Sequence, residues 1–274
     1  MTASFTAPRQ HCRSKRGFIL DPALPILGMQ NRIQTDFEFD FHSHPRGQLA
    51  YASTGVIKVQ TDDGSWVIPP SQAVWIPGGI HHSVSPAVTS EIRHLFIDPT
   101  YLNRFPGQCS VVEVSPLLRE LIMRVADFGD TYAPDSPASR VCAVILDELE
   151  ALKPSRLHLP LSEDRRLQPI MQSMLSPSDA DTDLAYWANR VGASERTLRR
   201  LFVRETGMTY QQWRQQARLQ QAVERLGQGE SVLNVSLGLG YRSPSAFVAM
   251  FRKALGVSPG RYFNAIHEGQ ASER

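Results

Sequence analysis

The sequence of 274 residues predicts an α+β protein of two domains, in which an antiparallel β-barrel with amphipathic helices precedes an all-α domain. Two observations carry this prediction. The first hundred residues contain short β-branched and aromatic segments separated by Gly, Pro, Asp and Ser. The last hundred contain one helix-turn-helix pattern written twice. A chain of this length has room for two domains that each bury their own core.

The predicted strands are short and separated by turn residues, a spacing that favours an antiparallel barrel or jelly roll. We expect the barrel to occupy residues 20–105 and assign no element to the polar, basic first twenty residues. The strand segments are 37–41, 48–51, 56–60, 66–68, 73–76 and 92–97.

Two short motifs in this region contain several histidines. His42-Ser-His44 is followed by Gln48 and Gly55, and Pro77-Gly-Gly-Ile-His81-His82 comes later in the chain. These segments resemble the two cupin motifs. The resemblance implies a cupin-like barrel that senses a small-molecule effector.

The histidines leave two alternatives open. His42 and His44 lie two apart and face the same side of a strand, and His81 or His82 would complete a three-ligand set for Zn²⁺, Fe²⁺ or Ni²⁺. The catalytic cupin pattern would offer a glutamate at position 48, and the neutral amide of Gln48 is a poor metal ligand.

We therefore expect an effector pocket without a metal or other cofactor. For Tyr51 and Trp75, ordinary core packing is an equally good interpretation. The predicted pocket residues are His42, His44, Gln48, Tyr51, Trp75 and His82.

Two amphipathic helices follow the barrel, in residues 106–152. Ser115-Pro116 and Ser136-Pro137 each combine a helix cap with a first-turn proline. Their apolar stripes either cover the barrel or pair with a second subunit in a homodimer. The stripes comprise positions 117, 118, 121, 122 and 125, and positions 141, 145, 149 and 152. Residues 153–164 are predicted to be the interdomain linker.

The repeat lies in the helical domain, residues 165–266. The segment 194–202 aligns with 243–251 at an offset of 49 residues, and each copy follows a segment with helical apolar spacing. Each copy therefore predicts a helix, a short turn and a second helix, over about 184–205 and 232–255. This unit inserts a recognition helix into the major groove of DNA.

Cap residues support these helix boundaries. In the first copy Asp183 or Thr182 can cap the first helix, Gly192 supplies the turn and Ser194 caps the second helix. In the second copy the caps are Ser231 and Ser243, and glycines at positions 207 and 256 should end the two recognition helices. Residues 213–226 predict one connecting helix between the copies.

The recognition helix of the first copy has three arginines on its outward face, Arg196, Arg199 and Arg200. Arginine pairs in bidentate fashion with guanine and also contacts phosphates. A basic helix surface exposed to solvent is the ordinary alternative, but the duplicated unit favours DNA.

The residues in and around these two units form segments that indicate a family. They are Thr197-Leu-Arg-Arg-Leu-Phe-Val-Arg-Glu-Thr-Gly207, and Gly240-Tyr-Arg-Ser-Pro-Ser-Ala-Phe247 with Phe251-Arg-Lys-Ala-Leu-Gly-Val-Ser-Pro259. Over roughly 183–263 the chain resembles the AraC/XylS family of bacterial transcriptional regulators. The resemblance implies two helix-turn-helix subdomains whose recognition helices enter successive major grooves of double-stranded DNA.

Carried over by position, the resemblance also implies which residues read bases. In many relatives a long polar or basic side chain stands where this chain has Ala249, so we expect the second helix mainly to position the protein on phosphates. The implied residues are Arg196, Arg199 and Arg200 in the first unit, and Arg242, Ser243, Pro244, Ser245, Ala246 and Ala249 in the second.

Charge is distributed unevenly along the chain, although its net value is only +2. Residues 165–266 contain 14 basic and 7 acidic side chains, whereas residues 1–164 contain 14 and 18. A basic segment of this kind suits phosphate contact. The three cysteines fit a reducing compartment, and no signal peptide or membrane-spanning run is present, so we expect a cytoplasmic protein.

These observations predict a transcriptional regulator that binds DNA and responds to a small-molecule effector, without enzymatic activity. The resemblance to the family further implies a homodimer, contact with RNA polymerase if the protein is an activator, and control of a neighbouring transporter or catabolic gene. The alternative is a metal-dependent cupin enzyme with an appended DNA-binding domain.

Overall fold

The computed structural model describes residues 14–34, 40–70, 72–151, 154–155, 159–175, 183–255 and 257–263. They fall into two compact units, Met1–Thr61 with Trp66–Arg156, and Asp62–Ser65 with Leu157–Arg274. Most of the strand predicted at 37–41 lies outside the described residues.

The first unit is built from antiparallel strands. Its larger sheet has the strand order β1-β7-β2-β5-β8-β9, and a smaller sheet contains β4, β3 and β6 in that order. The strands are β1 Ile26–Ile33, β2 Gly47–Thr54, β3 Ile57–Thr61, β4 Gly64–Ile68, β5 Gln72–Ile76, β6 His82–Pro86, β7 Ser90–Ile97, β8 Ser110–Glu113 and β9 Pro154–Ser155. Five of the six predicted strand segments lie in β2, β3, β4, β5 and β7, whereas β1, β6 and β8 were not predicted.

Two helices cover the outer face of the larger sheet, α1 Pro116–Val125 and α2 Pro137–Glu150. As predicted, Ser115 and Ser136 cap them, and each begins with a proline. The stripe residues Leu118, Ile122, Val125, Ile145 and Leu149 are buried in the core that this sheet face forms. The stripes thus cover the barrel, and Leu117 and Val144 are the large apolar side chains of these helices that stay exposed.

A buried ion pair fixes the segment that precedes β1. Arg46 donates from Nη2 to Asp98 Oδ2 over 3.1 Å, and both side chains are almost fully buried. The same guanidinium donates to the backbone oxygens of Ile19 at 2.6 Å, Leu24 at 2.9 Å and Phe96 at 3.0 Å. Every part of this buried charge is therefore hydrogen-bonded, which is the condition under which such burial is tolerated.

The second unit is helical. Its helices are α3 Gln168–Leu175, α4 Leu184–Val191, α5 Glu195–Thr206, α6 Tyr210–Gly227, α7 Val232–Gly238 and α8 Pro244–Leu255. The prediction of one connecting helix is confirmed by α6, which buries Leu219, Ala222, Val223 and Leu226. The two-residue strand β10, Leu159–Pro160, pairs with Ser65 and Gly64 of the same unit. Leu159 is fully buried in the helical core, so this core begins before residue 165.

Local hydrogen bonds define both helix-turn-helix units. Asp183 and Ser194 accept from the backbone N–H of Tyr186 and Thr197, and Gly192 adopts φ 66° in the turn between α4 and α5. Ser231 and Ser243 accept in the same way from Asn234 and Ala246, at the starts of α7 and α8. The predicted caps are confirmed, and Gly207 ends α5 with φ 68°. Gly256 lies outside the described residues.

Candidate functional site

The exposed face of α5 is a row of basic side chains. Leu198, Leu201 and Phe202 are buried on its inner face, which fixes the rotation of the helix. Arg196, Arg199 and Arg200 are all exposed. The structure therefore brings the three predicted arginines together on one solvent-facing surface.

The three arginines differ in their partners. Arg199 donates to Glu195 over 3.0 Å, one turn earlier on the same helix. Within the described residues, Arg196 and Arg200 form no ion pair. Their guanidinium groups are therefore available for an external acceptor, either a base edge or a phosphate.

The exposed face of α8 has a different chemistry. Six of its residues share one open surface, on which Pro244 and Val248 are half-buried and the others exposed, namely Pro244, Ser245, Val248, Ala249, Arg252 and Lys253. Under the 49-residue offset, Arg196, Arg199 and Arg200 correspond to Ser245, Val248 and Ala249. Sequence reasoning missed Val248, although the repeat offset would have found it.

The other residues predicted for the second unit lie at the start of α8. Ser243 uses its hydroxyl to accept from the backbone N–H of Ala246 at 3.2 Å, so this oxygen is engaged as a helix cap. Arg242 and Ala246 are exposed. Arg242 is the basic side chain nearest the N-terminus of this helix.

In the barrel unit, three histidines converge. His42, His44 and His82 each offer a ring nitrogen, and these nitrogens all lie within 4.8 Å of one another. His42 and His82 form an isolated antiparallel bridge, with backbone N···O distances of 2.9 and 2.8 Å. This bridge explains how two motifs about forty residues apart meet.

Backbone carbonyls hold each ring in one tautomer. Nδ1 lies 2.7 Å from the oxygen of Arg46 in His44, 2.8 Å from that of Ile80 in His82, and 3.0 Å from that of Asp40 in His42. A carbonyl only accepts, so each Nδ1 carries the proton and donates. A ring held in this way, when neutral, presents the lone pair of its Nε2.

Gln48 closes the network on its inner side. One end of its carboxamide lies 2.8 Å from Nε2 of His44 and 3.3 Å from Nε2 of His82, and an oxygen at that end would set acceptors against each other. Because the two ends of a carboxamide have the same shape, hydrogen-bond chemistry decides the orientation. The NH₂ group therefore faces these two lone pairs.

His94 completes the arrangement and was missed from the sequence. Its Nδ1 lies 2.9 Å from the other end of the Gln48 carboxamide and donates to it in this orientation. Burial lowers the pKa of His94 to about 3 and that of His82 to about 4, and it also lowers the pKa of His44. These three rings are thus neutral at pH 7, as the network requires.

The donor set also bears on a metal ion. Three neutral imidazoles suit Zn²⁺, Fe²⁺ or Ni²⁺, and backbone partners at Nδ1 are common around such ions. An NH₂ group that faces two of the three lone pairs does not suit a cation. The network therefore satisfies His44 and His82 without a metal ion, and a neutral amide stands at position 48, where the catalytic cupin pattern would offer a glutamate.

Tyr51 and Trp75 do not join the histidines. Both belong to the core under α1 and α2, on the opposite face of the larger sheet. Side chains alternate along a strand, so Tyr51, three residues after Gln48, must face the other way. A small cavity adjoins the histidine network and shares His42, Gln48 and His94 with it. It is lined by Ser14, Met29, Asn31, His42, Gln48, Val84, His94 and Phe96.

Comparison with known proteins assigns both units. The family described as "AraC-like ligand binding domain" matches residues 30–185, more than half of the chain. The chain belongs to the AraC/XylS family of transcriptional regulators. The family described as "Helix-turn-helix domain" matches residues 187–265. The resemblance seen in the sequence is thereby confirmed.

Relatives of this chain are transcriptional regulators. The HTH-type transcriptional regulator NimR of Escherichia coli strain K12 is 39% identical over 221 residues, which cover 81% of each chain. The transcriptional activator NphR of Rhodococcus sp is 36% identical over 148 residues, 50% of this chain and 43% of NphR. The protein is therefore a transcriptional regulator with a ligand-binding domain and a DNA-binding domain.

The solved structures to which this chain is similar are more distant. ToxT from Vibrio cholerae O395 is 11% identical, with a TM-score of 0.37, over 88% of this chain and 98% of ToxT. The C-terminal domain of AraT from Geobacillus stearothermophilus is 26% identical, with a TM-score of 0.34, over 40% of this chain and 88% of that domain. The family assignment rests on the sequence matches.

None of the helices that the structure describes combines the length and the apolar composition of a membrane-spanning segment.

Proposed function

We propose that this regulator reads its operator with the exposed faces of α5 and α8 and senses its effector beside the histidine network. The observation that carries the proposal is the pair of capped helix-turn-helix units, the first of which exposes three arginines on one face. Two such units in one chain suit two major-groove segments.

Arg200 is proposed to contact a base. The operator is first obtained by sequencing the DNA that the protein retains from its own genome. Arg200→Ala should then weaken operator binding by about 1–3 kcal/mol and binding to random DNA much less, because only a base contact discriminates between sequences. Arg124→Ala is the control, since this arginine is exposed on α1 of the other unit.

A different result would change the assignment. If Arg196→Ala, Arg199→Ala and Arg200→Ala each weaken operator and random DNA by the same factor, these side chains contact phosphates only. The comparison requires one fixed salt concentration, because phosphate contacts make affinity steeply dependent on salt.

The effector is proposed to bind in the barrel, at the polar groups of His42, His44, Gln48 and His82. Support comes from the cavity beside His42 and Gln48 and from the fixed direction of the imidazole lone pairs. His82→Ala should reduce the response to effector and leave DNA affinity without effector nearly unchanged, because the two sites belong to separate units. Equal loss of both properties would contradict this assignment.

The regulator is further proposed to associate with a second copy of itself. A homodimer would use the exposed apolar side chains Leu117 on α1 and Val144 on α2, since the buried stripes are already covered. If the protein is an activator, RNA polymerase is a further partner. Control of a neighbouring transporter or catabolic gene is the arrangement proposed for its target.

A further inference from the structure

We propose that α8 recognises the C5-methyl groups of thymines, whereas α5 reads guanines. The operator would then contain two segments of different composition about one helical turn apart. This inference rests on the proposed function, because it assumes that both helices enter the major groove.

The internal repeat identifies the positions that face DNA. Residues buried in α5 have buried counterparts in α8, since Leu198 corresponds to Phe247 and Phe202 to Phe251. Both helices are therefore held in the same rotation about their own axes. The outward positions that hold Arg196, Arg199 and Arg200 in α5 hold Ser245, Val248 and Ala249 in α8, where Ser245 and Ala249 are exposed and Val248 is half-buried.

These side chains restrict what α8 can read. Val248 and Ala249 have no hydrogen-bonding side-chain group, so they cannot pair with the donors and acceptors of a base edge. The thymine methyl is the apolar group that a base pair presents in the major groove, and small apolar side chains contact it. Their small size also lets the helix approach the bases closely.

The surroundings of this face fit a groove. Val248 and Ala249 share an open surface of α8 with Arg252 and Lys253. Arg242 is exposed just before the helix begins. Basic side chains at both ends of α8 can hold the phosphates while the apolar centre meets the bases, so affinity and selectivity come from different residues.

The test uses the full-length, unmodified protein. Duplexes that bind are selected from a randomised library, and each thymine of the selected sites is then replaced by deoxyuridine. This replacement removes the methyl group and keeps the O4 acceptor. Affinity is measured for every replacement in both segments.

We expect thymines to be enriched in one segment and guanines in the other. A deoxyuridine at a contacted thymine should weaken binding about fourfold, the value for losing one buried methyl-sized group. In Val248→Ala the same replacement should matter less, because the partner of the methyl is gone. Ala249→Arg should shift the preferred base from thymine to guanine. The matched control is deoxyuridine in the guanine-containing segment.

Failure of methyl recognition by α8 can be distinguished from failure of the proposed function. If a specific site is selected but its second segment is not enriched in thymine, or tolerates deoxyuridine throughout, α8 does not read methyl groups and the proposed function stands. If no specific sequence is selected, the proposed function itself fails.

Discussion

Gln48 joins His94 to the two histidines of the cupin-like motifs, with its carboxamide 2.9 Å from Nδ1 of His94. His94 lies on β7, the neighbour of β2 in the sheet. One neutral carboxamide therefore forms hydrogen bonds with three buried imidazoles. Whether position 48 holds an amide or a carboxylate decides whether the cluster is a hydrogen-bond network or a set of metal ligands.

Gln48→Glu should create a metal site. The carboxylate would replace the NH₂ group that faces His44 and His82, and would add a fourth ligand to three histidines. We expect stoichiometric Zn²⁺ or Ni²⁺ in the variant, measured by elemental analysis and titration calorimetry. His44→Ala in the same background is the control and should abolish binding. Stoichiometric metal in the unmodified protein, lost on His44→Ala, would show that the network interpretation is wrong.

The barrel unit should lose stability in mild acid. Burial lowers the pKa of His82 to about 4, whereas an unfolded histidine titrates near 6.5. The unfolded state therefore binds a proton that the folded state does not, and the stabilising contribution, complete above pH 6.5, decreases as pH falls toward 4. Between pH 7.5 and pH 5 this histidine should account for roughly 2 kcal/mol.

Denaturant unfolding at the two pH values measures this effect. His82→Gln should make the barrel transition less dependent on pH, even though the substitution itself lowers stability. His81→Gln is the matched control, because His81 is exposed. If both variants keep the pH dependence of the unmodified protein, His82 is not its source.

Arg46→Met should destabilise the barrel unit by about 3–5 kcal/mol, because it leaves the carboxylate of Asp98 buried without its cation. Asp98 also accepts from the backbone N–H of Asp21 and Thr100, so its carboxylate stays in place when Arg46 is replaced. The double variant Arg46→Met with Asp98→Asn should recover part of the loss. Equal instability of the single and double variants, measured by urea unfolding, would exclude an unpaired charge as the cause.

A fragment of residues 157–274 should bind DNA specifically as a monomer. It contains both recognition helices, and it includes Leu159 and Pro160, whose oxygen accepts from Trp213 Nε1 at 2.7 Å. Its contacts should span two major-groove segments about 34 Å apart. Footprinting with sedimentation of the fragment tests this; binding without sequence preference would contradict it.

The full-length chain should bind paired sites more tightly than the fragment does. If two copies associate, the second site is filled at high effective concentration, and affinity rises by about 10²–10⁴. Leu117→Glu on α1 should remove this gain and leave single-site binding unchanged, whereas Arg124→Ala is a control on the same helix. A full-length chain that sediments as a monomer at micromolar concentration would rule out the dimer.

Helices α4 to α8 of the helical unit could be predicted from the sequence, whereas α3 was not predicted. Its signals are local, since Ser194 and Ser243 cap helices whose apolar residues recur with the helical period. The barrel was harder. Strand β1 was missed because its buried residues are interrupted by Gln30, Asn31 and Arg32, whose polarity hides the alternation.

The predicted effector pocket shows the same contrast. Its histidines were found because they belong to two short motifs, although the structure places His42 in an isolated bridge and His44 outside any strand. Tyr51 was grouped with Gln48 without applying strand alternation, which places residues three apart on opposite faces. His94 could not be found from spacing, because only the pairing of β7 with β2 brings it beside Gln48.

The shared interior of the two helix-turn-helix units has a consequence for engineering and for divergence. Since Leu198 and Phe247, and Phe202 and Phe251, occupy equivalent buried positions, the outward residues of either recognition helix can change without repacking the unit. The sequence of each operator segment can therefore change independently. Substituting three outward side chains of one recognition helix should give a regulator with a new target sequence.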